Sequence, residues 1–375
     1  DQATGNDGNV GTSTLPKASI QAGVTAVGAT GTVWVRNGTY NAVTISSKNG
    51  SASQWVRIVA QSGHSPKITS SGNSAINFQD SSYLLLYGFE VTGLDNSSNP
   101  YADCVTATNS HHIAVWKCWM HHGSHAFGAP GNFGNASNYD ICYNFMGPNL
   151  SRWNEYAASA VSLYALNDGG NGADGYANRI IGNCIYDSKN TVGIGPSTDG
   201  NGIIIDACNS SAGQGGTLST DKTLVARNIT VANGARGIHA FMSDNVDIVF
   251  NTIAHNVIQA GSGGVGIDQG EATTYGSDDG KFRYNVVGTR VNRANGSNNV
   301  WFQGSGWDGS SGNIAPANNV ITRGDNPALT SNTDKRANGD GYWQAPNDTL
   351  SNIAGWRPAS ASNTTVNVSS LDSAL

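Results

Sequence analysis

Apolar and polar residues alternate in short runs along most of the chain, and the runs recur in a fixed order. Residues 201–206 (Asn-Gly-Ile-Ile-Ile-Asp) are echoed by residues 236–241, and we call these runs A-type. Residues 223–231 are echoed by residues 246–253, and we call these runs B-type. Each run has the length of a strand and is bounded by Gly, Asn, Ser or Asp, which predicts a strand between turns. The order A, B, A, B indicates a repeat architecture.

The repeat continues on both sides of this segment. Further A-type runs occupy residues 74–79, 103–108, 159–164 and 265–270, and further B-type runs occupy 113–118, 139–144, 178–183 and 281–285. The B-type runs end on a shared residue type: Asn144, Asn183, Asn228, Asn251 and Asn285, with Cys118 in the earlier slot. Stacked asparagines at one turn can hydrogen-bond along the stack, and Asn tolerates the left-handed backbone of such a turn.

The pattern predicts an all-β fold, a right-handed parallel β-helix. The step from Asn228 to Asn251 is 23 residues, about one coil of three short strands. An ordinary β-sandwich is the alternative, but sandwiches do not stack Asn at a fixed strand offset. We expect one domain over residues 1–375, with a cap over about 1–29, coils over about 30–322 and an irregular tail over about 323–375. Apolar residues at helical spacing predict a capping helix within residues 16–27.

Composition supports a folded, turn-dense chain. Gly accounts for 48 of 375 residues, charged residues for 12% and hydrophobic residues for 38%. The net charge of −6 argues against a nucleic-acid partner, and no apolar run reaches membrane-spanning length. The chain begins like a mature, processed form, so we expect a secreted protein, acting as a monomer. The odd count of five cysteines predicts mostly buried thiols, with one or two disulfides as the alternative.

Candidate catalytic residues lie on the outward positions of the A-type strands. Side chains alternate in and out along a strand, and neighbouring rungs are about 4.8 Å apart. We therefore expect His239 to stack on Asp268, with Asp206 about 8 Å away. The same cluster includes residues near the strand ends: Arg236, Glu271 and, one rung further, Tyr164. The alternative for each is a surface residue or a turn former.

Metal sites remain open. The histidines of residues 111–125 could form a metal site, although their spacing matches no metal pattern. Calcium is a candidate cofactor because hard oxygen ligands on loops suit it, and four loop aspartates are available: Asp168, Asp174, Asp278 and Asp279.

Exposed aromatic side chains are candidates for binding sugar rings, whose apolar faces stack on such side chains. The candidates are Trp116, Trp119, Trp153, Tyr156 and Trp301. The alternative is that these rings fill the ends of the coils.

With the capping helix, the Asn ladder and the Asp-Gly-Asn-Gly-Ile rung at 199–203, the chain resembles the pectate-lyase-like superfamily of right-handed β-helices. That superfamily includes polysaccharide lyases, glycoside hydrolases and mannuronan C5-epimerases. In one of its pectate-lyase families a similar rung carries a lysine base at the slot that is Ile204 here.

The resemblance implies a secreted enzyme that degrades a polysaccharide. One expectation is β-elimination on a uronic-acid polymer, with His239 as the base, Arg236 as the cation that neutralises the carboxylate and Tyr164 as the acid. The alternative is glycoside hydrolysis by an acid–base pair drawn from Asp206, Asp268 and Glu271. A non-catalytic glycan-binding or adhesin solenoid is the third possibility.

Overall fold

The computed structural model describes residues 1–70, 72–94, 102–131, 134–151, 159–190, 199–209, 219–258, 271–288, 300–303, 315–317, 319–323 and 341–344. Every pairing between its strands is parallel, and successive strands pass from one long sheet to the next and back to the first. The predicted right-handed parallel β-helix is confirmed. No helix among the described residues is long and apolar enough to cross a membrane.

The B-type strands belong to sheet 1. It consists of β1 (Gly31–Val35), β4 (Val56–Ala60), β7 (Ser82–Tyr87), β10 (His111–Trp116), β13 (Ser137–Cys142), β17 (Asn178–Ile181), β21 (Thr223–Ala226), β24 (Val246–Val249), β27 (Lys281–Arg283) and β30 (Ala315–Ala317).

Sheet 2 contains the middle strand of each coil. It consists of β2 (Thr39–Asn41), β5 (Lys67–Thr69), β8 (Glu90–Thr92), β11 (Trp119–His121), β14 (Phe145–Met146), β18 (Cys184–Tyr186), β22 (Ile229–Val231), β25 (Thr252–Ala254), β28 (Val286–Gly288), β31 (Val320–Arg323) and β32 (Gly341–Gln344). A separate two-stranded sheet pairs β15 (Asn149–Ser151) with β19 (Ser188–Asn190).

The A-type strands belong to sheet 3. It consists of β3 (Val43–Ser46), β6 (Ile76–Gln79), β9 (Val105–Thr108), β12 (Phe127–Pro130), β16 (Val161–Tyr164), β20 (Ile203–Asp206), β23 (Ile238–Phe241), β26 (Ala272–Tyr275) and β29 (Val300–Gln303). The alternating side chains of the three sheets meet in one continuous apolar core, to which Phe78, Phe127 and Phe282 contribute large buried rings.

The helix α1 (Ile20–Ala26) lies within the predicted segment but begins later than the apolar spacing suggested. Ser19 ends the extended chain before it, because its side chain accepts a hydrogen bond from the Ala22 amide at 3.1 Å and so caps the first turn. Ile20 and Val24 are buried against the first coils, as a cap over the core requires.

The asparagine ladder is confirmed. In each step one asparagine accepts two hydrogen bonds at its Oδ1. The preceding asparagine of the ladder donates both, one from its backbone amide at 2.9 Å and one from its side-chain Nδ2 at 3.0 Å. Cys118 begins the column by donating its amide to Asn144, and Asn319 extends it beyond Asn285. Each side-chain amide also donates to a backbone carbonyl, so these buried polar groups are satisfied within the core.

Three details of the sequence prediction are wrong. The predicted repeat omits a complete rung of sheet 3, β12, which lies between the A-type runs at 103–108 and 159–164. The strand predicted at 265–270 is replaced in sheet 3 by β26, at 272–275. The tail carries one further strand, β32, which pairs with β31.

All five cysteines are free, and four of them are buried. Burial raises the pKa of the Cys104 and Cys118 thiols to about 12, so both stay protonated and behave as small apolar side chains.

Candidate functional site

A column of polar residues marks the entrance to sheet 3. In the six consecutive strands β6, β9, β12, β16, β20 and β23, the residue two positions before the strand begins is polar. These residues are Ser74, Asp103, His125, Ser159, Asn201 and Arg236. We call this set the entrance column. Because the strands are in register, the column repeats once per coil along the same side of the solenoid.

Asp103 and His125 form a hydrogen-bonded pair in the entrance column. One oxygen of Asp103 accepts from the His125 backbone amide at 2.9 Å and lies 2.8 Å from Nδ1 of the imidazole. The other oxygen accepts from the Thr106 hydroxyl at 3.0 Å, which fixes the carboxylate. The side chains are 8% exposed for Asp103 and 23% for His125, so the imidazole is the more accessible partner.

Opposing effects act on the His125 imidazole. Burial by itself would lower its pKa, but the charge and hydrogen bond of Asp103, with a smaller contribution from the charge of Asp199, raise it overall. The cationic imidazole is therefore stabilised next to Asp103.

Two further carboxyl groups lie a short way along the column. Asp199 accepts a hydrogen bond from Nδ2 of Asn201 at 2.9 Å, and that nitrogen also reaches Ser159 at 3.0 Å. Burial raises the pKa of Asp199 to about 6, although the charges of Arg236 and His125 act in the opposite direction. Asp199 is therefore mostly ionised at neutral pH.

Asp206 is the last residue of β20, the strand that begins four residues after Asp199, and it remains partly exposed. Burial, together with the negative charge of Asp199, raises its pKa to about 8. Asp206 is therefore mostly protonated at a pH at which Asp199 is mostly ionised. Two neighbouring carboxyl groups whose pKa values are pushed apart are the usual mark of an acid and its base.

The floor between these groups is made of small side chains. Gly128 and Ser162 occupy the outward position of β12 and β16 that Ile204 occupies in β20. A β-carbon at Gly128 would lie 3.4 Å from Asp103 Oδ2 and 3.5 Å from His125 Nδ1. The missing side chain leaves open space beside the Asp103–His125 pair.

Aromatic rings line the next outward column. Tyr164, Phe241 and Tyr275 occupy the same strand position as Asp206, in register with it. The rings of Phe241 and Tyr275 stack with centroids 5.2 Å apart and planes 12° apart. They form an apolar platform directly beyond Asp206, of the kind on which sugar faces pack.

His239 lies where the sequence placed it, one rung from Ile204, but its surroundings differ from the prediction. Its neighbour in the next rung is Thr273, not Asp268, and its Nδ1 is hydrogen-bonded to the Thr273 hydroxyl. Only 4% of His239 is exposed, so it points away from the coil core but not into solvent. Burial and the nearby charge of Arg236 hold its pKa well below the usual range, which keeps the imidazole neutral. Asp268 lies outside the described residues.

Arg236 and Glu271 are both buried. Arg236 is 5% exposed, its amide donates to Asn201 at 3.1 Å, and its charge lowers the pKa of Asp199. Glu271 is fully buried and its Oε2 accepts from the amide and the Nδ2 of Asn256, at 2.9 and 2.8 Å. Asn256 in turn accepts from Asn233, so Glu271 terminates a second, shorter polar ladder beneath the site.

Two of the predicted sugar-binding aromatics lie away from sheet 3. Trp116 and Trp119 are 36% and 42% exposed, but they lie on sheets 1 and 2. Trp301 belongs to sheet 3, in register with Thr273. Trp153 and Tyr156 lie outside the described residues.

The histidines predicted as a metal cluster are separated. His111 and His112 begin a strand of sheet 1, His121 ends a strand of sheet 2, and His125 lies at the entrance to sheet 3. Among the calcium candidates, the carboxylate of Asp174 is paired with Arg179, whereas that of Asp168 accepts from the Thr220 amide. Over the described part of the chain, no three His, Cys, Asp or Glu side chains are placed to share a metal ion.

Sequence reasoning left Asp103 out of the cluster, regarded Asp199 mainly as a turn former and considered His125 only as a metal ligand. For Asp103 and His125 the signal is the shared offset: a polar residue two positions before each A-type strand. That signal was hidden at His125 because β12, with the sequence Phe-Gly-Ala-Pro, does not look like a strand and was not placed in the ladder.

No protein-family model matches the chain, and a comparison with curated protein sequences gives no match. Among solved structures, pectate lyase Pel9A is similar over 93% of this chain and 76% of its own length, with a TM-score of 0.53 and 14% identity. A GH136 lacto-N-biosidase from Eubacterium ramulus gives a TM-score of 0.47 and 12% identity, over 85% of this chain and 59% of its own. A rhamnogalacturonan lyase gives a TM-score of 0.46 and 14% identity, over 84% and 86%. The likeness to Pel9A shows a shared fold, the right-handed parallel β-helix.

Proposed function

We propose that the protein is a carbohydrate-active enzyme that degrades a polysaccharide by hydrolysing glycosidic bonds in the groove over sheet 3. The arrangement that supports the proposal is a pair of carboxyl groups on one rung of sheet 3, Asp199 before β20 and Asp206 at its end, whose pKa values are raised to different extents, to about 6 and about 8. Glycoside hydrolysis needs one carboxylic acid that gives a proton and one carboxylate that accepts one.

The roles follow from the two pKa values. Asp206, protonated at neutral pH, gives its proton to the oxygen of the leaving sugar as the glycosidic bond breaks. Asp199, ionised at the same pH, takes a proton from the attacking water, whose oxygen becomes bonded to the anomeric carbon. Asp199 then loses its proton to solvent and Asp206 takes up a proton from solvent, which restores both groups.

The shape of the site favours a polymer as substrate. The candidate groups lie on five consecutive rungs of sheet 3, from β9 to β23, which span about 19 Å at the usual rung spacing. The floor is low at Gly128 and Ser162, and the rings of Phe241 and Tyr275 extend the surface beyond Asp206. A polysaccharide too large to enter a cell requires an exported enzyme, so secretion, with a monomeric state, remains part of the proposal.

The Asp103–His125 pair supports a second candidate, β-elimination on a uronic-acid polymer. In that reaction His125, when neutral, would remove the proton next to the substrate carboxylate. His239 suits the role of base less well than His125 does, because it is buried and its pKa is far lower.

A panel of polysaccharides distinguishes the candidates. Products are measured as new reducing ends and as the ultraviolet absorbance of unsaturated sugar ends. Hydrolysis gives only the first signal, whereas β-elimination gives both. Asp206→Asn should abolish the reducing ends, whereas Asp80→Asn, the same change at an exposed aspartate just after β6, should not. Unchanged turnover in Asp206→Asn would remove the proposed acid.

A further inference from the structure

A row of exposed aromatic and apolar side chains follows the edge between sheets 1 and 2, whereas the groove lies on sheet 3. The exposed fraction of each is between 42% and 55%. The members are Trp119, Tyr143, Phe145, Ile229, Phe250 and Tyr284. We call this row the edge strip. An exposed apolar row of this length marks a surface that binds something.

The turn that carries the rings does not need them. Tyr143, Phe250 and Tyr284 each precede a ladder asparagine and have positive φ values of 58°, 58° and 57°. In other coils the same slot is filled by Gly88 and Gly182, which adopt this conformation without strain. A bulky side chain there costs free energy and, being exposed, gains little from burial. The rings therefore point to a role other than folding.

The rings lie flat in two groups along the strip. Phe250 and Tyr284 stack with centroids 4.9 Å apart and planes 7° apart. The ring of Tyr143 lies over Gly182, where a β-carbon would be only 2.7 Å from it. Neighbouring coils are about 4.8 Å apart, which is comparable to the length of one sugar unit in a glycan chain.

The charged side chains on the turns of the strip from residue 117 onward are positive, whereas Glu90, in register with Trp119 in the preceding coil, is paired with Lys67. Lys117 and Arg227 occupy the same turn slot as the rings, and both are exposed. Arg283 precedes Tyr284 at the end of β27. The six turns from residue 117 to residue 286 carry no acidic side chain at the ladder residue or at the residues on either side of it. In a chain with a net charge of −6, this local excess of positive charge is complementary to a polyanion.

We propose that the edge strip binds a carboxylated polysaccharide, with sugar faces packed on the rings and carboxylates near Lys117 and Arg227. The strip would hold the polymer on the enzyme without taking part in bond cleavage. The choice of a polysaccharide as ligand rests on the proposed function; the carboxylated class rests on the charges of the strip itself.

Binding is measured by affinity electrophoresis in native gels containing polygalacturonate, alginate or hyaluronan. All proteins carry Asp206→Asn, so that no polymer is consumed and the result does not depend on turnover. The ring variant is Phe250→Gly with Tyr284→Gly, since the slot accepts glycine. The charge variant is Lys117→Gln with Arg227→Gln. The control is Trp34→Ser, which removes a 61% exposed ring from β1.

We expect at least one of the three polymers to retard the parent protein and the control. Dissociation constants should rise about tenfold in the ring variant, as the loss of two stacking rings implies. The charge variant should bind polygalacturonate more weakly than the parent does. It should bind fully methyl-esterified polygalacturonate, which has no carboxylates, as tightly as the parent does. Melting temperatures of both variants should equal that of the parent or exceed it.

Three results would overturn the proposal. Equal retardation of parent and variants would show that the strip binds none of these polymers. Stronger retardation by polyuridylate than by all three glycans would assign the strip to nucleic acid. A concentration-dependent dimer that the ring variant abolishes would assign it to a second copy of the chain. Product formation on the glycan panel tests the groove separately, so a failure of one proposal is distinguishable from a failure of the other.

Discussion

Asp206 and His239 both point away from the coil core, yet neither behaves as a surface residue. Asp206 is only partly exposed and sits beside another carboxyl group, so its protonated form is favoured. His239 is buried, so its neutral form is favoured. Alternation along a strand predicts the direction in which a side chain points but not which residues bury it. The proposed chemistry depends on protonation states, and these are set by that burial.

The two aspartates predict a bell-shaped dependence of kcat/KM on pH. Activity should rise as Asp199 ionises near pH 6 and fall as Asp206 loses its proton near pH 8. Asp206→Asn should lower the rate by about 10²–10⁴-fold, the usual contribution of a proton-transfer group. Asp80→Asn should keep both the rate and the bell. A rate that rises steadily to pH 9 would contradict the role of Asp206 as acid.

Asp206 also predicts how stability responds to pH. Its pKa is raised in the folded state, so from about pH 4 to about pH 8 the folded protein holds a proton that the unfolded chain has lost. The contribution of this group to stability is therefore lost as pH rises through that range. The asparagine in Asp206→Asn cannot ionise. The free energy of unfolding of this variant minus that of the native sequence should therefore increase from pH 4 to pH 8. Denaturant titrations at several pH values test this, and a constant difference would contradict the raised pKa.

The burial of His239 predicts that His239→Ala destabilises the protein. The substitution removes a buried ring beside Phe241 and leaves the Thr273 hydroxyl without its present partner, a loss of about 1–3 kcal/mol. Calorimetry should show a lower melting temperature. An unchanged melting temperature with complete loss of turnover would instead favour an accessible, catalytic His239.

At the scale of strands and turns, the coil repeat was readable because the same residue type recurs at the same offset. The ladder from Asn144 to Asn285 is formed by residues whose buried amides must bond to one another, so spacing alone located them. Six strands of sheet 1 and five strands of sheet 3 were located by the repeat.

Among the strands that the sequence analysis missed, β12 and β26 were missed for identifiable physical reasons. β12 contains Gly and Pro and is held by its neighbours on both sides rather than by its own propensity. β26, with the sequence Ala-Thr-Thr-Tyr, lacks the apolar alternation that residues 265–270 show, so the wrong segment was placed beside His239. The first error hid His125, and the second moved Asp268 into the predicted cluster.

The ladder gives a prediction of its own. Asn228→Ala removes hydrogen bonds to the Asn183 amide, to Asn251 and to the Ile180 carbonyl, and leaves buried groups unpaired. The free energy of unfolding should fall by about 1–3 kcal/mol. Asn41→Ala, at an exposed position of β2, should change it by less than about 0.5 kcal/mol. Equal effects of the two substitutions in denaturant titrations would contradict the structural role of the ladder.

At the scale of the whole molecule, a solenoid with parallel sheets provides long, straight rows of side chains on each of its sides. On sheet 3 these rows form a groove with carboxyl groups, an Asp–His pair and aromatic rings; on the edge between sheets 1 and 2 they form a basic and aromatic strip. Both features repeat with the spacing of the coils, which suits a ligand that is itself a linear repeat.

The most direct test of the central claim is the mass of the products formed in heavy-oxygen water from whichever polysaccharide the panel identifies. Hydrolysis in the sheet 3 groove predicts saturated oligosaccharides with one heavy oxygen at each new reducing end, and none from Asp206→Asn. Unsaturated oligosaccharides without the label, or labelled products formed equally well by Asp206→Asn, would contradict it.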